Sequence, residues 1–265
     1  KMSEGEKQQQ EAPARRALAT FDKALAIQPD LVEAMRGRAS CLYGLGDFAA
    51  AGTAYEKVAT ARKTEPGPWA MAADSYALAG SPDEAIRCWQ TTIDVEPLYA
   101  TAYQELSRLY GKNRSGAWEP AYYDAMLRLL QGKPGDAAKS LKRVTDAHPT
   151  FGPGWRGLGS AQLGAKKTGD AVKSLRKAVE VSPADGLSHY ELGVALTEAD
   201  ENAEALKALT RAAELRPDYP RVWFALGSLA EKSKDPDSAI NYYERAVELR
   251  PAWAEAHENL GGVLL

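Results

Sequence analysis

Residues 152–183 read GPGWRGLGSAQLGAKKTGDAVKSLRKAVEVSP. The stretch holds two helical patterns in succession. In the first, Trp155, Leu158 and Gly159 stand three and four residues apart, and in the second, Ala171, Leu175 and Ala178 do the same. Offsets of three and four return a side chain to the same face of an α-helix. Pro183 then closes the unit.

The same unit recurs on both sides. Pro149, Pro183, Pro217 and Pro251 are spaced 34 residues apart, and Pro29 and Pro97 are separated by twice that interval. Lys63 holds the place between them where a proline is missing. The second-helix pattern returns as Ala17, Phe21 and Ala24; Ala51, Tyr55 and Val58; Ala85, Trp89 and Thr92. It continues as Ala137, Leu141 and Val144; Ala205, Leu209 and Ala212; Ala239, Tyr243 and Ala246. The first-helix pattern returns as His189, Leu192 and Gly193; Trp223, Leu226 and Gly227; His257, Leu260 and Gly261. Met35 and Trp69 start weaker copies, with Ala39 and Ala73 in the glycine place. Gly46, Gly80 and Gly132 punctuate the turn between paired helices, where a left-handed backbone is often needed.

The spacing has a physical reason. Alanine and glycine at the crossing let two helix axes approach to about 8–10 Å. A large residue of one helix then fills the groove beside them. Proline after the second helix has no N–H to donate and clashes backward, so it fixes the turn into the next unit. One such pair buries too few apolar side chains to offset its ordering entropy, so stability must come from stacking on neighbours.

These residues resemble the tetratricopeptide repeat, whose period is 34 residues and whose pattern is W-x2-L-G-x2-Y…A-x3-F…P. The resemblance covers about 32–253, apart from one interruption. It implies an all-α fold, a right-handed α-solenoid of stacked antiparallel helix pairs.

The interruption lies near residues 111–118. Pro97 and Pro149 are 52 residues apart, half a repeat more than the period. Ala100 to Gly111 reads as a first-type helix with Tyr103, Leu106, Ser107 and Tyr110 in place. The partner helix is not seen to follow, and Gly111–Gly116 reads as a loop. Trp118 and Pro120 open another helix, in which Asp124 and Arg128 take places that are normally apolar. Tyr123, Met126, Leu127 and Leu130 move its apolar stripe around, as a repacking against helix 100–111 would require. The expectation is therefore an N-terminal subarray over 1–112, a joint at 113–117 and a C-terminal subarray over 118–265. Lys1 to Glu11 is polar and shows no clear first helix, and Ala254–Leu265 is a first-type helix without its partner, exposing Val263, Leu264 and Leu265. The chain is thus expected to be a piece of something longer, or to offer that last helix for self-association.

Little in the sequence points to catalysis. The formal charge of −3 does not favour nucleic acid or an anionic membrane. No apolar run suits a membrane span and no secretory signal pattern opens the chain, which leaves both cytoplasm and bacterial periplasm open. Cys41 and Cys88 form no disulfide framework or metal-ligand pattern. His189 and His257 stand where the repeat usually has tryptophan and read as packing residues, and His148 precedes a closing proline. Gly152–Gly159 is glycine-rich but follows no strand, so it is a poor phosphate loop. Asp200 and Glu201 read as a solvated turn. No cofactor, metal or catalytic residue is expected.

The resemblance implies instead a concave wall built from the first helices, which in this family usually holds an extended peptide or a helix. Mapped here, that wall carries Arg36, Ser40, Tyr43, Met71, Asp74, Gln104 and Arg108. Its second half carries Arg156, Ser160, Leu163, Tyr190, Val194, Phe224 and Ser228. Aromatics beside small polar groups suit a mixed apolar and hydrogen-bonding ligand. The carboxylate clamp of one family branch does not fit. Ser160 replaces its asparagine beside Arg156, and Glu191 stands where the next asparagine should be. The asparagine ladder of another branch, the sugar-transferring nuclear-cytoplasmic glycosyltransferases, is absent from the wall. The expected function is a protein-interaction scaffold. A substrate-recruiting arm of a larger enzyme, and a bacterial cell-envelope scaffold for secretion or polysaccharide export, stay open beside it.

Overall fold

The computed structural model describes residues 4–113 and 117–265, with side chains over 11–112 and 117–265. Fifteen helices and no strand are found among the described residues. They run as α1 (Glu4–Ile27), α2 (Val32–Gly44), α3 (Phe48–Ala61), α4 (Pro66–Leu78), α5 (Pro82–Val95), α6 (Ala100–Asn113) and α7 (Glu119–Leu130). There follow α8 (Pro134–Ala147), α9 (Gly152–Gly164), α10 (Thr168–Val181), α11 (Gly186–Glu198) and α12 (Asn202–Leu215). The last are α13 (Pro220–Lys232), α14 (Pro236–Leu249) and α15 (Ala254–Leu264). From α1 to α6 and again from α8 to α15, each helix packs on the next in sequence. The chain is an all-α helical repeat solenoid.

Two compact units are formed, Lys1–Asp124 and Ala125–Leu265. The expected joint at 113–117 includes residues 114–116, which lie outside the described residues.

The core follows the small-residue ladder. Ala51, Ala85, Ala137, Ala171, Ala205 and Ala239 are all fully buried, and so are Leu141, Leu175, Leu209 and Tyr243. Glycine in the first helix is a matter of space. A Cβ added at Gly159 would lie 2.4 Å from Leu175 Cγ, and one at Gly193 would lie 2.5 Å from Leu209 Cγ. The turn between paired helices is left-handed at Gly46, Gly80 and Gly132, as the sequence pattern suggests. Lys166, Asp200 and Lys234 adopt the same conformation at the equivalent places, with φ of 58°, 61° and 59°. For side chains with a Cβ this costs about 1–2 kcal/mol each.

A hydrogen bond ties the start of five first helices to the end of the preceding repeat. Trp155 Nε1 donates to the Pro149 carbonyl at 2.8 Å, and Trp223 Nε1 donates to the Pro217 carbonyl at 3.0 Å. His189 and His257 place Nε2 at 3.0 and 2.9 Å from the carbonyls of Pro183 and Pro251. The Tyr103 hydroxyl does the same to Pro97 at 3.0 Å. A carbonyl can only accept, so each histidine must carry its proton on Nε2. These histidines are therefore anchors of the repeat junction; His257 is exposed, so packing is not its main contribution.

Two sequence expectations need correction. The polar segment before Glu11 is helical from Glu4 onward, as part of α1. Its Glu, Gln and Lys residues are good helix formers, and a helix nucleated on the half-buried face further along extends into them at little cost. Helix 100–111 continues to Asn113, and it does have a partner. The first half of α7 packs on it, with Tyr123 stacked on Tyr110 at 5.6 Å and tilted against Tyr103 at 6.4 Å. Asp124, out of place for an apolar position, accepts from the Ser107 hydroxyl at 2.6 Å. In the second unit, Arg128 of the same helix donates to Ser140 of α8 at 3.2 Å. A Cβ at Gly157 of α9 would meet Met126. So the first half of α7 packs on α6 in the unit Lys1–Asp124, and its second half meets α8 and α9 in the unit Ala125–Leu265.

Candidate functional site

The expected wall is built from the exposed faces of the first helices. In the unit 125–265, α11 approaches both α9 and α13 directly, whereas no two of α10, α12 and α14 do so to the same extent. Closer approach on one side of a stack is the inner side of a bend. In that unit, then, the first helices form the inner row.

Within the unit 1–124 the wall residues fall into three groups. Arg36 is tied to Glu65 at 2.9 Å. Tyr43 donates to Asp74 at 2.7 Å, a bond that, ahead of partial burial, raises the phenol above its ordinary range. Burial raises the Tyr55 phenol above its ordinary range, against the opposing influence of Ser40. Met71 is half-buried, and Gln104 and Arg108 are exposed, the latter paired with Glu105 of its own helix at 2.6 Å.

In the unit 125–265 Arg156 is not an exposed wall residue, because it is buried. Its guanidinium lies 3.4 Å from both Asp185 and Glu191, and the Ser160 hydroxyl donates to Glu191 as well. Burial pushes the Glu191 carboxyl above the usual carboxylate range, against the pull of Arg156. The glutamate that would repel a bound carboxylate is thus an internal counter-ion. Tyr190 packs edge-on against Tyr219 at 5.6 Å, and Phe224 stacks on Trp253 at 4.7 Å. Leu163 packs against the core, Val194 is half-buried, and Ser228 is exposed near the Tyr243 hydroxyl.

A rule joins these contacts. Arg36 meets Glu65, Arg156 meets Asp185, Tyr190 meets Tyr219 and Phe224 meets Trp253, each pair separated by 29 residues. The partner is always the residue just before the next first helix begins. Sequence reasoning took one member of each pair and missed the other. The signal was there: charge stands opposite charge and ring opposite ring at a constant interval. Arg221 and Arg250 were also missed. Their guanidinium groups lie 6.0 and 5.6 Å from the Trp253 ring centre.

Glu56 and Cys88 are engaged in structure. Glu56 accepts from Tyr76 at 2.8 Å and pairs with Arg87 at 2.6 Å. Burial raises its carboxyl, but these donors outweigh it, and the net shift is downward. Cys88 Sγ lies 3.6 Å from Glu56, and burial foremost pushes the thiol up to about 12, far from a reactive thiolate. Among the described residues no cluster of three or more His, Cys, Asp or Glu could hold a metal ion. Among them, too, no helix is long and apolar enough to cross a membrane.

The comparisons agree on the architecture. No curated protein matches the chain significantly. Among solved structures, the chain is similar to one in the APC/C hetero-tetramer Cut9-Hcn1, with 17% identity and a TM-score of 0.57. That match covers 95% of this chain and 46% of the other, so the chain spans less than half the length of that relative. It is also similar to TTC0263, a thermophilic TPR protein in Thermus thermophilus, with 19% identity and a TM-score of 0.51 over 76% of this chain and 99% of that one. At such identities the likeness concerns the fold alone. A family model described as Tetratricopeptide repeat matches residues 14–66, 124–185, 156–220, 190–255 and 224–265, which together make up most of the chain. With the 34-residue register, the buried alanine ladder and the stacked pairs, this means that the chain belongs to the tetratricopeptide repeat family.

Proposed function

We propose that this chain is an interaction scaffold, without a catalytic group of its own, that holds an extended peptide or a helix along its row of first helices. Tetratricopeptide repeats support protein–protein interaction in general, so the coarse role follows from the family. The finer reading is supported by one observation. In the unit 125–265 the inner row presents Tyr190, Val194 and Phe224, all half-buried, beside the exposed Ser228. Partly exposed aromatic rings are enriched at interaction hot spots. The rings are held by Tyr219 and Trp253, so little side-chain freedom remains to be lost on binding.

The test is recovery of partners on the immobilised chain, compared with the Tyr190→Ala plus Phe224→Ala variant, with circular dichroism to show that helix content is kept. Loss of recovery is expected. Unchanged recovery by a folded variant would count against binding on this face.

A further inference from the structure

Along the row of first helices, most arginines are already neutralised by the protein itself. Arg36 has Glu65, Arg108 has Glu105, and Arg156 has both Asp185 and Glu191. Arg216, just before the Tyr219 ring, has Asp218 at 4.0 Å. Arg221 and Arg250 differ. Among the described residues neither has a carboxylate within 4.0 Å. Both guanidinium groups instead lie near the ring of Trp253, at 6.0 and 5.6 Å from its centre. Phe224 stacks on that same ring.

The geometry points to an anchor for an acidic residue of the bound peptide at Arg221 and Arg250, with an aromatic or aliphatic neighbour of that residue lying on Phe224 and Trp253. The inference rests on the peptide-binding reading above and names the chemistry of the ligand. The argument is charge complementarity against an internal standard. Where the wall binds its own acids, the 29-residue partner is Glu65 or Asp185. Where the partner is the Trp253 ring, the nearby Arg221 and Arg250 are left over for another chain. Ring contact orients a guanidinium while leaving N–H groups free for a carboxylate, which it can meet with two parallel hydrogen bonds. Two such groups beside a stacked aromatic pair would read an acidic–hydrophobic pair of residues in an extended peptide.

The experiment is selection from a random-peptide display library on the full chain and, in parallel, on the Arg221→Gln plus Arg250→Gln variant. Arg250 is exposed and Arg221 half-buried, and circular dichroism with Trp fluorescence checks that the variant is folded. Peptides enriched in Asp or Glu beside an aromatic or aliphatic residue are expected on the native chain, with that enrichment lost on the variant. A synthesised winner should bind the variant about tenfold or more weakly, and its binding to the native chain should fall as salt is raised. Selected peptides with no acidic bias, or with the same bias on both proteins, would overturn the inference and leave peptide binding standing. If the library yields no binder that Tyr190→Ala plus Phe224→Ala abolishes, the broader reading fails as well.

Discussion

Arg156 Nη1 lies 3.4 Å from Glu191 Oε1, and the two side chains join α9 to α11 across a repeat boundary with only 7% and 22% of their surface exposed. Removing one partner of such a pair leaves the other charge buried. Arg156→Leu is therefore expected to cost about 3–5 kcal/mol in urea unfolding. Arg156→Leu with Glu191→Leu should recover part of that loss, because the carboxylate left behind, Asp185, still accepts hydrogen bonds from Leu187 N and the Ser188 hydroxyl. A double variant no more stable than the single one would show that the guanidinium acts through packing alone.

Two partly buried glutamates should pull the pH dependence of stability in opposite directions. Glu191 is raised in the folded chain, so its contribution is complete below the ordinary glutamate range and is lost as pH rises through the folded value. Glu56 is lowered, so its contribution is present above the ordinary range and is lost as pH falls through the folded value. Chemical unfolding across mildly acidic pH should show Glu191→Gln flattening the decline on the rising side. Glu56→Gln should flatten the decline on the acid side. Identical profiles for both variants and the parent would contradict these assignments.

The ring-to-proline hydrogen bond predicts a small, repeated effect. Trp155→Phe and Trp223→Phe keep a ring but lose the N–H that reaches Pro149 or Pro217, and each should cost about 1 kcal/mol. At His189 and His257, nitrogen-15 NMR should find the proton on Nε2. The other neutral tautomer, with the proton on Nδ1, would remove the proposed bond.

Turn strain should be relieved by glycine. Lys166→Gly and Lys234→Gly replace a left-handed residue at φ near 60° by the residue found at Gly80 and Gly132. Relief of about 1–2 kcal/mol against a glycine entropy cost of about 0.5–1 kcal/mol leaves a modest gain, visible as a higher Tm. Gly80→Ala should lower the Tm.

Close helix approach sets a limit on size. Gly193→Ala would bring a methyl to 2.5 Å from Leu209 Cγ, and forcing it in should cost roughly 1–3 kcal/mol. Removing the opposing γ carbon in Gly193→Ala plus Leu209→Ala should lessen the clash, so the pair should be non-additive. Strict additivity in thermal unfolding would place the strain elsewhere.

The repeat was legible because it rests on local rules applied at a fixed interval. Ala171 against Leu175 and Trp155 against Gly159 follow from helical periodicity, and Pro183 ends a helix wherever the chain goes next. The sequence by itself therefore determined the helix pairs outside the irregular stretch near 111–118, their register and the alanine and leucine ladder they bury. It could not say which side chains at the wall were already taken. Arg156 reads the same whether it faces solvent or Asp185, and Asp124 looks out of place until Ser107 is beside it. Whether a surface group is free depends on a neighbour 17, 29 or 35 residues away brought near by stacking, and on the desolvation that stacking imposes. Only the tertiary structure decided that Arg36 and Arg156 are spent on internal acids while Arg221 and Arg250 are not.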